Sequence, residues 1–434
     1  MNDGHLRKLA GKLALVAAMG AMLAACGGSG AAPKPKTTAG QKVTITFWNE
    51  MTGPYQVALN GVIAAFETQN PQITVDSVVV PNDAALQPKL LTAVVGHDLP
   101  TISQLNPYWG PEFISTKSLV NLTPDISKAS NFGLGEFYGR LLAAGRWPGN
   151  KQYLLPFNVS DCEMFYNQSA FQAAGITSPP ATWSAFAADA AKLSTGSHHA
   201  FAITLVHSYP WRAFFNEAGG QFATASGQPN RSAFAPGGAG VAAMSFWQQL
   251  VNKGQAVLTQ GYASQTDFAN GTSSILVGTS AFYPYLVPAV AGKFKIGIAP
   301  MPSGKITSTS VFGGYLGMFS QASPAQQAAG FKFIQYLTSK QGQLYWMEHS
   351  NGYLPVRADA AAAGKSFLAT HPAQETALKS LADATPEPQY AWYDQFDIQD
   401  LIPGIQAVLI GKSSPTAEMS ALYGDAKSLA KSSS

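Results

Sequence analysis

The residues of this sequence that are best suited to hold a small molecule are aromatic. Sugar rings present apolar C–H faces that stack on aromatic rings, and hydroxyl groups that pair with carboxylates and amides. A cleft lined by Trp, Tyr, Asp, Asn and Gln therefore predicts carbohydrate binding. For any single ring, packing in a hydrophobic core is the alternative, and it is the joint placement at element ends that favours a cleft. The aromatic residues at predicted strand ends, loops and turns are Trp48, Tyr108, Trp109, Trp211, Tyr283, Tyr315, Tyr353, Trp392 and Tyr393.

Residues for catalysis or cofactor chemistry lack the spacing that such chemistry needs. The seven His residues form neither H-x-x-H nor H-E-x-x-H, so we expect no metal site. No G-x-S-x-G motif is present, and the Gly-rich stretches match neither the dinucleotide fingerprint nor the P-loop, so we expect no catalytic nucleophile and no cofactor. A glycosidase needs only two carboxylates, and the chain has 24 acidic residues. A secreted glycoside hydrolase therefore stays open as the enzymatic alternative.

Composition places the chain among multilobed α/β proteins. Of its 434 residues, 46% are hydrophobic and 12% are charged, which excludes a disordered tail and a coiled coil. The 27 Lys and Arg residues are nearly balanced by 24 Asp and Glu residues, without a run of five like charges. Nothing resembles a phosphate-tracking surface, so we expect no nucleic-acid partner.

The elements that would position the aromatic residues alternate between strands and helices. Residues 43–48 predict a strand, residues from 55 a helix that ends before Asn70-Pro71, and residues 73–80 a second strand. A helix at 83–96 and a strand at 100–105 complete a pattern of right-handed βαβ crossovers in a parallel sheet. Further strands at 159–166, 201–205, 274–278 and 295–298 require a second sheet. Ser323-Pro324-Ala325-Gln326 predicts the capped start of a helix.

The N-terminal residues predict the cellular localisation. Basic residues precede an unbroken apolar run at 13–25, which is the order of a secretory signal. The run ends in Leu23-Ala24-Ala25-Cys26, which resembles a bacterial lipobox. We therefore expect a lipoprotein signal peptide at 1–25, and a lipidated Cys26 that begins a flexible tether at 26–42. The alternative is a plain secretory signal in which Cys26 is incidental.

The rest of the chain offers no second attachment. No other apolar stretch reaches about 18 residues, so membrane association would depend on the lipid. The other cysteine, Cys162, would have no disulfide partner, and we expect it to be a small buried hydrophobe.

Ordered segments over essentially the whole predicted mature chain closely resemble family 1 extracellular solute-binding proteins of ABC importers. This group contains maltose-, oligosaccharide- and glycerol-phosphate-binding proteins. Each segment alone is weak, but their order is specific. The segments are Leu155-Pro156-Phe157-Asn158 with Met164-Phe165-Tyr166-Asn167 and Thr182-Trp183, Phe268-Ala269-Asn270-Gly271, Ala299-Pro300-Met301-Pro302 with Gly313-Gly314, and Phe331-Lys332-Phe333 through to Gly352-Tyr353-Leu354-Pro355-Val356.

The resemblance implies a two-lobed periplasmic-binding-protein fold of the α/β class. Each lobe would be a mixed, mostly parallel sheet flanked by helices, with the ligand cleft between the lobes. Chain crossovers are expected near 157–160, 312–315 and 352–355. The N-lobe would then comprise residues 43–157 plus 315–352, and the C-lobe residues 158–314 plus 353–434.

The resemblance also implies where the ligand binds. The family's ligand positions, carried onto this chain and joined by Tyr283 from the aromatic set, are all at strand ends, crossovers or turns. For Glu50 and Asp161, an ordinary solvated or hydrogen-bonded carboxylate is the alternative. The expected ligand-binding residues are Trp48, Glu50, Asn106, Trp109, Asn158, Asp161, Trp211, Tyr283, Gly314, Tyr315 and Tyr353.

The function expected from this resemblance is transport without catalysis. A monomer, lipid-anchored to the outer face of the bacterial cell membrane, would capture a mono- or oligosaccharide and present it to an ABC permease. A glycerol-3-phosphate- or glycerophosphodiester-binding protein is the alternative within the family, and Gly352-Tyr353-Leu354-Pro355 fits it too. Phosphate favours a forked Arg. In the phosphate-binding branch of the family that this chain resembles, an Arg is expected in the C-terminal tail. The last arginine of this chain is Arg357, and the corresponding stretch reads Pro388-Gln389-Tyr390-Ala391-Trp392. A sugar ligand is therefore favoured.

Overall fold

Strands alternate with helices along most of the chain in the computed structural model, which describes residues 42–147 and 149–433. The strands are rich in β-branched and aromatic residues, as in the first one, VTITFWN. They are β1 (Val43–Asn49), β2 (Ile73–Val79), β3 (Ile102–Leu105), β4 (Arg146–Trp147), β5 (Lys151–Gln152), β6 (Leu154–Asn167), β7 (His199–Ile203), β8 (Ala256–Leu258), β9 (Ser273–Thr279), β10 (Ile296–Ala299), β11 (Thr309–Met318) and β12 (Ala384–Thr385).

The helices lie between these strands and continue to the end of the described chain. Those before β9 are α1 (Gly53–Gln69), α2 (Asp83–Gly96), α3 (Gly110–Ser115), α4 (Thr123–Lys128), α5 (Gly139–Ala143), α6 (Gln168–Ala173), α7 (Trp183–Leu193), α8 (Tyr209–Glu217), α9 (Arg231–Phe234), α10 (Ala239–Asn252) and α11 (Ala263–Asn270). Those after it are α12 (Tyr283–Val290), α13 (Pro324–Leu337), α14 (Lys340–Ser350), α15 (Ala358–Ala363), α16 (Lys365–Thr370), α17 (Pro372–Ser380), α18 (Tyr393–Phe396), α19 (Ile402–Leu409) and α20 (Pro415–Ser432).

Helix starts that the sequence marks with capping residues are present. The Ser323 hydroxyl accepts from the Gln326 backbone N–H at 3.3 Å, and the Gln326 side chain accepts from the Ser323 N–H at 3.1 Å, which forms the predicted capping box of α13. The Thr182 hydroxyl likewise accepts from the Ala185 N–H at 3.2 Å and begins α7. Local sequence thus determines where these helices begin.

A single ten-stranded sheet runs through the molecule in the order β2-β1-β3-β11-β6-β9-β7-β8, with β10 on β6 and β12 on β11. Parallel pairs lie at both ends, as the βαβ pattern predicts. In the middle, β6 pairs antiparallel with β11 through residues 154–161 and with β9 through residues 162–166. The two expected sheets are therefore present as two halves that share one strand: β6 has 14 residues, extends beyond the strand predicted at 159–166, and belongs to both halves.

Two large hydrophobic clusters pack against this sheet. The first lobe is defined here by the cluster around Phe47, Phe66 and Phe333, whose rings lie 5.0 to 5.7 Å apart at their centroids. The second lobe is defined by the cluster around Phe214 and Trp247, together with a small one that contains Phe165, Phe268 and Leu286. This arrangement confirms the expected mixed α/β class.

The lobe boundaries expected from the sequence stay a proposal. Some residues assigned there to the second lobe lie in the first cluster, because the chain after α14 returns across the first lobe. These residues are Val159, Val311, Leu354, Val356, Ala377, Leu381 and Ala384.

The predicted signal peptide and lipobox, including Cys26, lie outside the described residues. Among the residues that are described, no helix is both long and apolar enough to cross a membrane. Cys162 is buried and makes no disulfide, as expected.

Candidate functional site

Three chain segments cross side by side between the lobes. Val159 of β6 pairs with Gly313 of β11, and the Val159 carbonyl accepts a hydrogen bond from the Leu354 N–H at 2.8 Å. Gly313 has φ of +145°, and a Cβ there would lie 2.1 Å from the Asn158 carbonyl oxygen. Only glycine fits such a close crossing. We call these three neighbouring segments the crossing segments: β6 and β11 contribute residues to both lobes, whereas the chain after Leu354 stays in the first cluster as far as Ala384.

A network of amides forms the floor of a cleft beside the crossing segments. The Gln104 side chain accepts from the Glu50 N–H at 2.8 Å and donates to Asn158 Oδ1 at 2.8 Å. A Cβ at Gly314 would lie 2.5 Å from Gln104 Nε2, so glycine leaves the room that this network needs. Burial raises the pKa of the nearby Tyr353 well above its ordinary value, and the Asn158 side chain opposes this shift. The floor thus presents several hydrogen-bonding groups.

Aromatic side chains of the second lobe form one wall of the cleft. His207 and Tyr209 follow β7, and Phe312 comes from β11. Ring centroids lie 5.3 Å apart for His207 and Phe312, 5.7 Å for His207 and Tyr209, and 5.0 Å for Tyr209 and Phe312. Rings at these distances pack on one another and offer a flat apolar surface.

Carboxylates from both lobes line the remaining walls. Asp83 Oδ2 of the first lobe lies 3.8 Å from His207 Nδ1 of the second. Asp394 Oδ2 accepts from the Gln87 amide at 2.8 Å, which again joins the two lobes. Burial, assisted by the charge of Asp83, raises the pKa of Glu50 to about 8. Acidic side chains of both lobes therefore lie close together here.

The lobes touch directly at the edge of this cleft. The Tyr55 hydroxyl donates to the Ala281 carbonyl at 2.6 Å, and the Tyr285 hydroxyl donates to the Thr52 carbonyl at 3.1 Å. The Ser280 hydroxyl donates to the Gly352 carbonyl at 2.9 Å, next to the third crossing segment. These hydrogen bonds connect the first lobe to the loop and helix that follow β9, so they hold the two lobes together.

Several residues predicted from the sequence meet around the crossing segments. Glu50, Asn158, Gly314 and Tyr353 surround the floor of the cleft through the contacts described above. Asn106 lies beside it, where its side-chain amide donates to the Tyr108 hydroxyl at 2.9 Å. Trp48 is half-buried at the end of β1, with the Lys89 ammonium 4.2 Å from its ring centroid.

Other predicted residues are buried or partly buried in the hydrophobic clusters, and their role in ligand binding stays a prediction. Trp211 is fully buried and stacks on Phe215 with centroids 5.4 Å apart, because α8 turns this face into the second cluster. Trp109 is buried in the first cluster. Tyr315 is buried there too and donates to the Leu141 carbonyl at 3.0 Å. Tyr283 packs partly buried against the small cluster of the second lobe.

Asp161 also differs from its expected position. It alternates with Ser160 along β6, so its side chain lies on the same face as Val159 and Glu163, opposite to Asn158. Asp161 and Glu163 are fully buried, and their carboxylate oxygens have no hydrogen-bond partner among the described residues. Burial, followed by the charge of Glu163, raises the pKa of Asp161, and burial raises the pKa of Glu163 to about 8. We call these two residues the hinge acid pair.

Sequence reasoning missed the residues that follow two parallel strands. Asp83 comes shortly after β2, and His207, Ser208 and Tyr209 come shortly after β7. Loops after the carboxyl ends of parallel strands are the common place for ligands in α/β proteins, and this rule could have identified them. Asp394 and Asp397 had no such signal, because they follow no strand of this kind.

The site has no metal-binding arrangement. Within residues 42–147 and 149–433, no three His, Cys, Asp or Glu side chains are grouped closely enough to hold a metal ion. The chemistry that the cleft does offer is hydrogen bonding, aromatic packing and negative charge.

Comparison with known proteins identifies relatives across most of the chain. The family model for bacterial extracellular solute-binding proteins matches residues 61–376. A putative binding protein, BAB2_0491, of Brucella abortus (strain 2308) is 27% identical over 395 residues, which cover 87% of this chain and 90% of that protein. The sn-glycerol-3-phosphate-binding periplasmic protein UgpB of Yersinia pestis bv. Antiqua (strain Antiqua) is 23% identical over 369 residues, which cover 79% of this chain and 81% of UgpB.

Solved structures share the fold. The GacH receptor of Streptomyces glaucescens GLA.O, whose structures include a complex with acarbose, has a TM-score of 0.79 and 19% identity and covers 89% of this chain and 98% of its own. UgpB of Mycobacterium tuberculosis, in complex with glycerophosphocholine, has a TM-score of 0.79 and 21% identity. The match covers 90% of this chain and 99% of that UgpB chain. At these identities the likeness describes the fold alone.

Proposed function

This chain belongs to the bacterial extracellular solute-binding protein family, and from that membership we propose that it captures a sugar between its lobes and delivers it to an ABC permease. Its relatives are substrate-binding proteins of transporters. The observation that carries the choice of a sugar is the floor of Gln104, Asn158 and Tyr353 beside the wall of Tyr209 and Phe312. Amides and hydroxyls pair with sugar hydroxyls, and rings pack on sugar C–H faces.

The test is binding coupled to closure. A thermal-shift screen of mono- and oligosaccharides and glycerophosphodiesters should find a stabilising ligand, because a ligand at 100 times its Kd stabilises the folded state by about 2.7 kcal/mol. Small-angle scattering with that ligand at saturation should show a smaller radius of gyration than the ligand-free protein, as a hinge closes. An unchanged radius with a ligand that binds would contradict a clamp.

A glycerophosphodiester is the second candidate, supported by the glycerophosphocholine complex of the Mycobacterium tuberculosis neighbour. Phosphate recognition favours a free Arg fork. Arg212, the arginine that lies under the cleft, pairs with Glu387 at 3.1 Å and is almost fully buried. Arg357 is paired with Asp359 at 2.8 Å. Sugar therefore remains the first candidate.

We further propose that the chain is a monomer without enzymatic activity and is held at the outer face of the cell membrane by a lipid on Cys26. Incubation with oligosaccharides should give no product, and a glycoside hydrolase would give one. The full-length protein expressed in a bacterium should partition into detergent, whereas Cys26→Ser should stay in the aqueous phase. Detergent partitioning by Cys26→Ser would contradict the lipobox.

A further inference from the structure

Three aspartates of the cleft lack a basic partner. Asp83 comes from the first lobe, and Asp394 and Asp397 come from the second. Among the described residues none of the three forms an ion pair with Lys or Arg, and Asp83 Oδ2 lies 3.8 Å from His207 Nδ1. The partners of the other carboxylates are neutral, as with the Tyr393 hydroxyl 3.2 Å from Asp397.

The basic residues nearest to the cleft are already engaged. The Arg212 guanidinium donates to Glu387 at 3.1 Å, to the Tyr393 hydroxyl at 3.3 Å and to the Val311 carbonyl at 2.9 Å. Lys89 is exposed and lies over the ring of Trp48. Neither residue forms an ion pair with these aspartates, although the charge of Arg212 lowers the pKa of Asp397 against the larger effect of burial.

Two tyrosines lie among these carboxylates. Tyr209 is 4% exposed, yet its hydroxyl makes no hydrogen bond to any described residue, and its ring packs against His207 and Phe312. Tyr108 packs against both lobes, and its ring centroid lies 6.2 Å from that of Tyr393, whose hydroxyl is 3.2 Å from Asp397. Burial raises the pKa of Tyr108, and the charges of Glu387, Asp83, Asp394 and Asp397 raise it further.

We propose that the ligand of this cleft carries a protonated or quaternary ammonium group, held by the carboxylates of Asp83, Asp394 and Asp397 against the aromatic side chains of Tyr108 and Tyr209. An ammonium is attracted both by carboxylates and by aromatic faces. This inference rests on the proposed function and specifies its substrate class. Two kinds of solute offer the group: an amino sugar, and a phosphodiester that ends in choline.

Calorimetric titration at pH 6.5 with matched pairs of ligands tests the inference. The first pair is the disaccharide of glucosamine and its N,N′-diacetylated form, which share a skeleton and differ in charge. The second is glycerophosphocholine and glycerol 3-phosphate. We expect the ammonium member of at least one pair to bind about tenfold or more tightly, the size of one charged hydrogen bond. The pair that shows the difference identifies the source.

Variants of the first lobe then assign the effect to the cleft. Asp83→Asn should weaken the ammonium ligand about tenfold and its neutral partner less than twofold. Asp76→Asn is the matched control, because Asp76 is exposed on β2, away from the cleft, and the variant makes the same change of charge. If Asp83→Asn does not fold, the ligand pairs on the unaltered protein decide alone.

If the member without an ammonium group binds equally or more tightly in both pairs, the ammonium inference is overturned and the proposed function stands. An equal loss for both members of a pair in Asp83→Asn overturns it as well. If no sugar or phosphodiester in the screen binds at all, the proposed function fails together with the inference.

Discussion

Asp161→Asn separates the energetics of the hinge from the binding of ligand. In the hinge acid pair, two fully buried carboxyl groups share one face of β6 at the crossing segments. Asn keeps the size of Asp161, removes one ionisable group and can donate its amide protons to Glu163. Because Asn158 and Ser160 lie on the opposite face, we expect the affinity for ligand to stay within about twofold of the unaltered protein.

The expected gain in stability depends on pH. The pKa of Glu163 rises from an ordinary 4.5 to about 8 through burial, and that of Asp161 is raised for the same reason. Well below the ordinary pKa values of 3.8 for Asp161 and 4.5 for Glu163, both carboxyls are protonated in the folded and unfolded chain, so they cost nothing. As the pH rises toward 8, the unfolded chain loses protons that the folded chain retains, and the folded state loses about 1.4 kcal/mol per pH unit for each such group. This sets a ceiling of about 5 kcal/mol, and relaxation around the site reduces it.

We therefore expect Asp161→Asn to raise the free energy of unfolding by about 1–3 kcal/mol at pH 8.5 and by almost nothing at about pH 3, below the ordinary pKa of Asp161. Urea denaturation at both pH values measures this, with Asp76→Asn as the control for loss of an exposed carboxylate. An equal effect at the two pH values would refute the buried-pair argument. A tenfold loss of affinity would refute the placement of Asp161 behind the cleft.

Two further predictions follow from the burial of individual residues. Trp211→Ala should lower the free energy of unfolding by about 3–5 kcal/mol in urea denaturation, because Trp211 packs on Phe215 in the core. The folded fraction should bind ligand as before. Unchanged stability with lost binding would show that Trp211 contacts the ligand. Glu50, whose pKa of about 8 keeps it protonated at pH 7, should release a proton when a cation or hydrogen-bond donor binds beside it. Calorimetry in two buffers of different ionisation enthalpy should detect up to one proton released, Glu50→Gln should abolish it, and affinity should rise from pH 6 to pH 8.

Local signals in the sequence were sufficient for most elements. The capping box at Ser323, the cap at Thr182 and the βαβ pattern of the first hundred residues predict helices and strands that the structure contains. These signals depend on neighbours within a few residues. The two expected sheets are joined because β6 pairs with β9 and with β11. Each of these partners follows β6 by more than a hundred residues, so no local sequence pattern predicts the pairing.

The candidate site was predictable in part for a related reason. In a half-buried strand, polar and apolar residues alternate, so the sequence shows which side chains point to the core and which point to solvent. β6 is buried along almost its whole length, so its sequence gives no such alternation. Consequently Asn158 and Asp161 were equally good candidates from sequence, and only the pairing with β11 places one on the cleft and the other behind it. The same holds for Trp211, since every residue of α8 is buried.

The proposed recognition and the proposed closure would depend on the same charges. Asp83 belongs to one lobe, whereas Asp394 and Asp397 belong to the other, so the proposed closure would bring like charges together as water leaves. Two unit charges 4 Å apart repel by about 4 kcal/mol at an effective dielectric constant of 20, and by less as they separate. The raised pKa values of Glu50, Asp394 and Asp397, each led by burial, reflect this cost. A ligand that supplies positive charge or hydrogen-bond donors offsets the cost only when both lobes reach it, and closure is therefore favoured by the solutes that the carboxylates recognise. The hinge acid pair lies outside this cleft, so the pH at which it ionises limits the stability of the fold without changing which solute is selected.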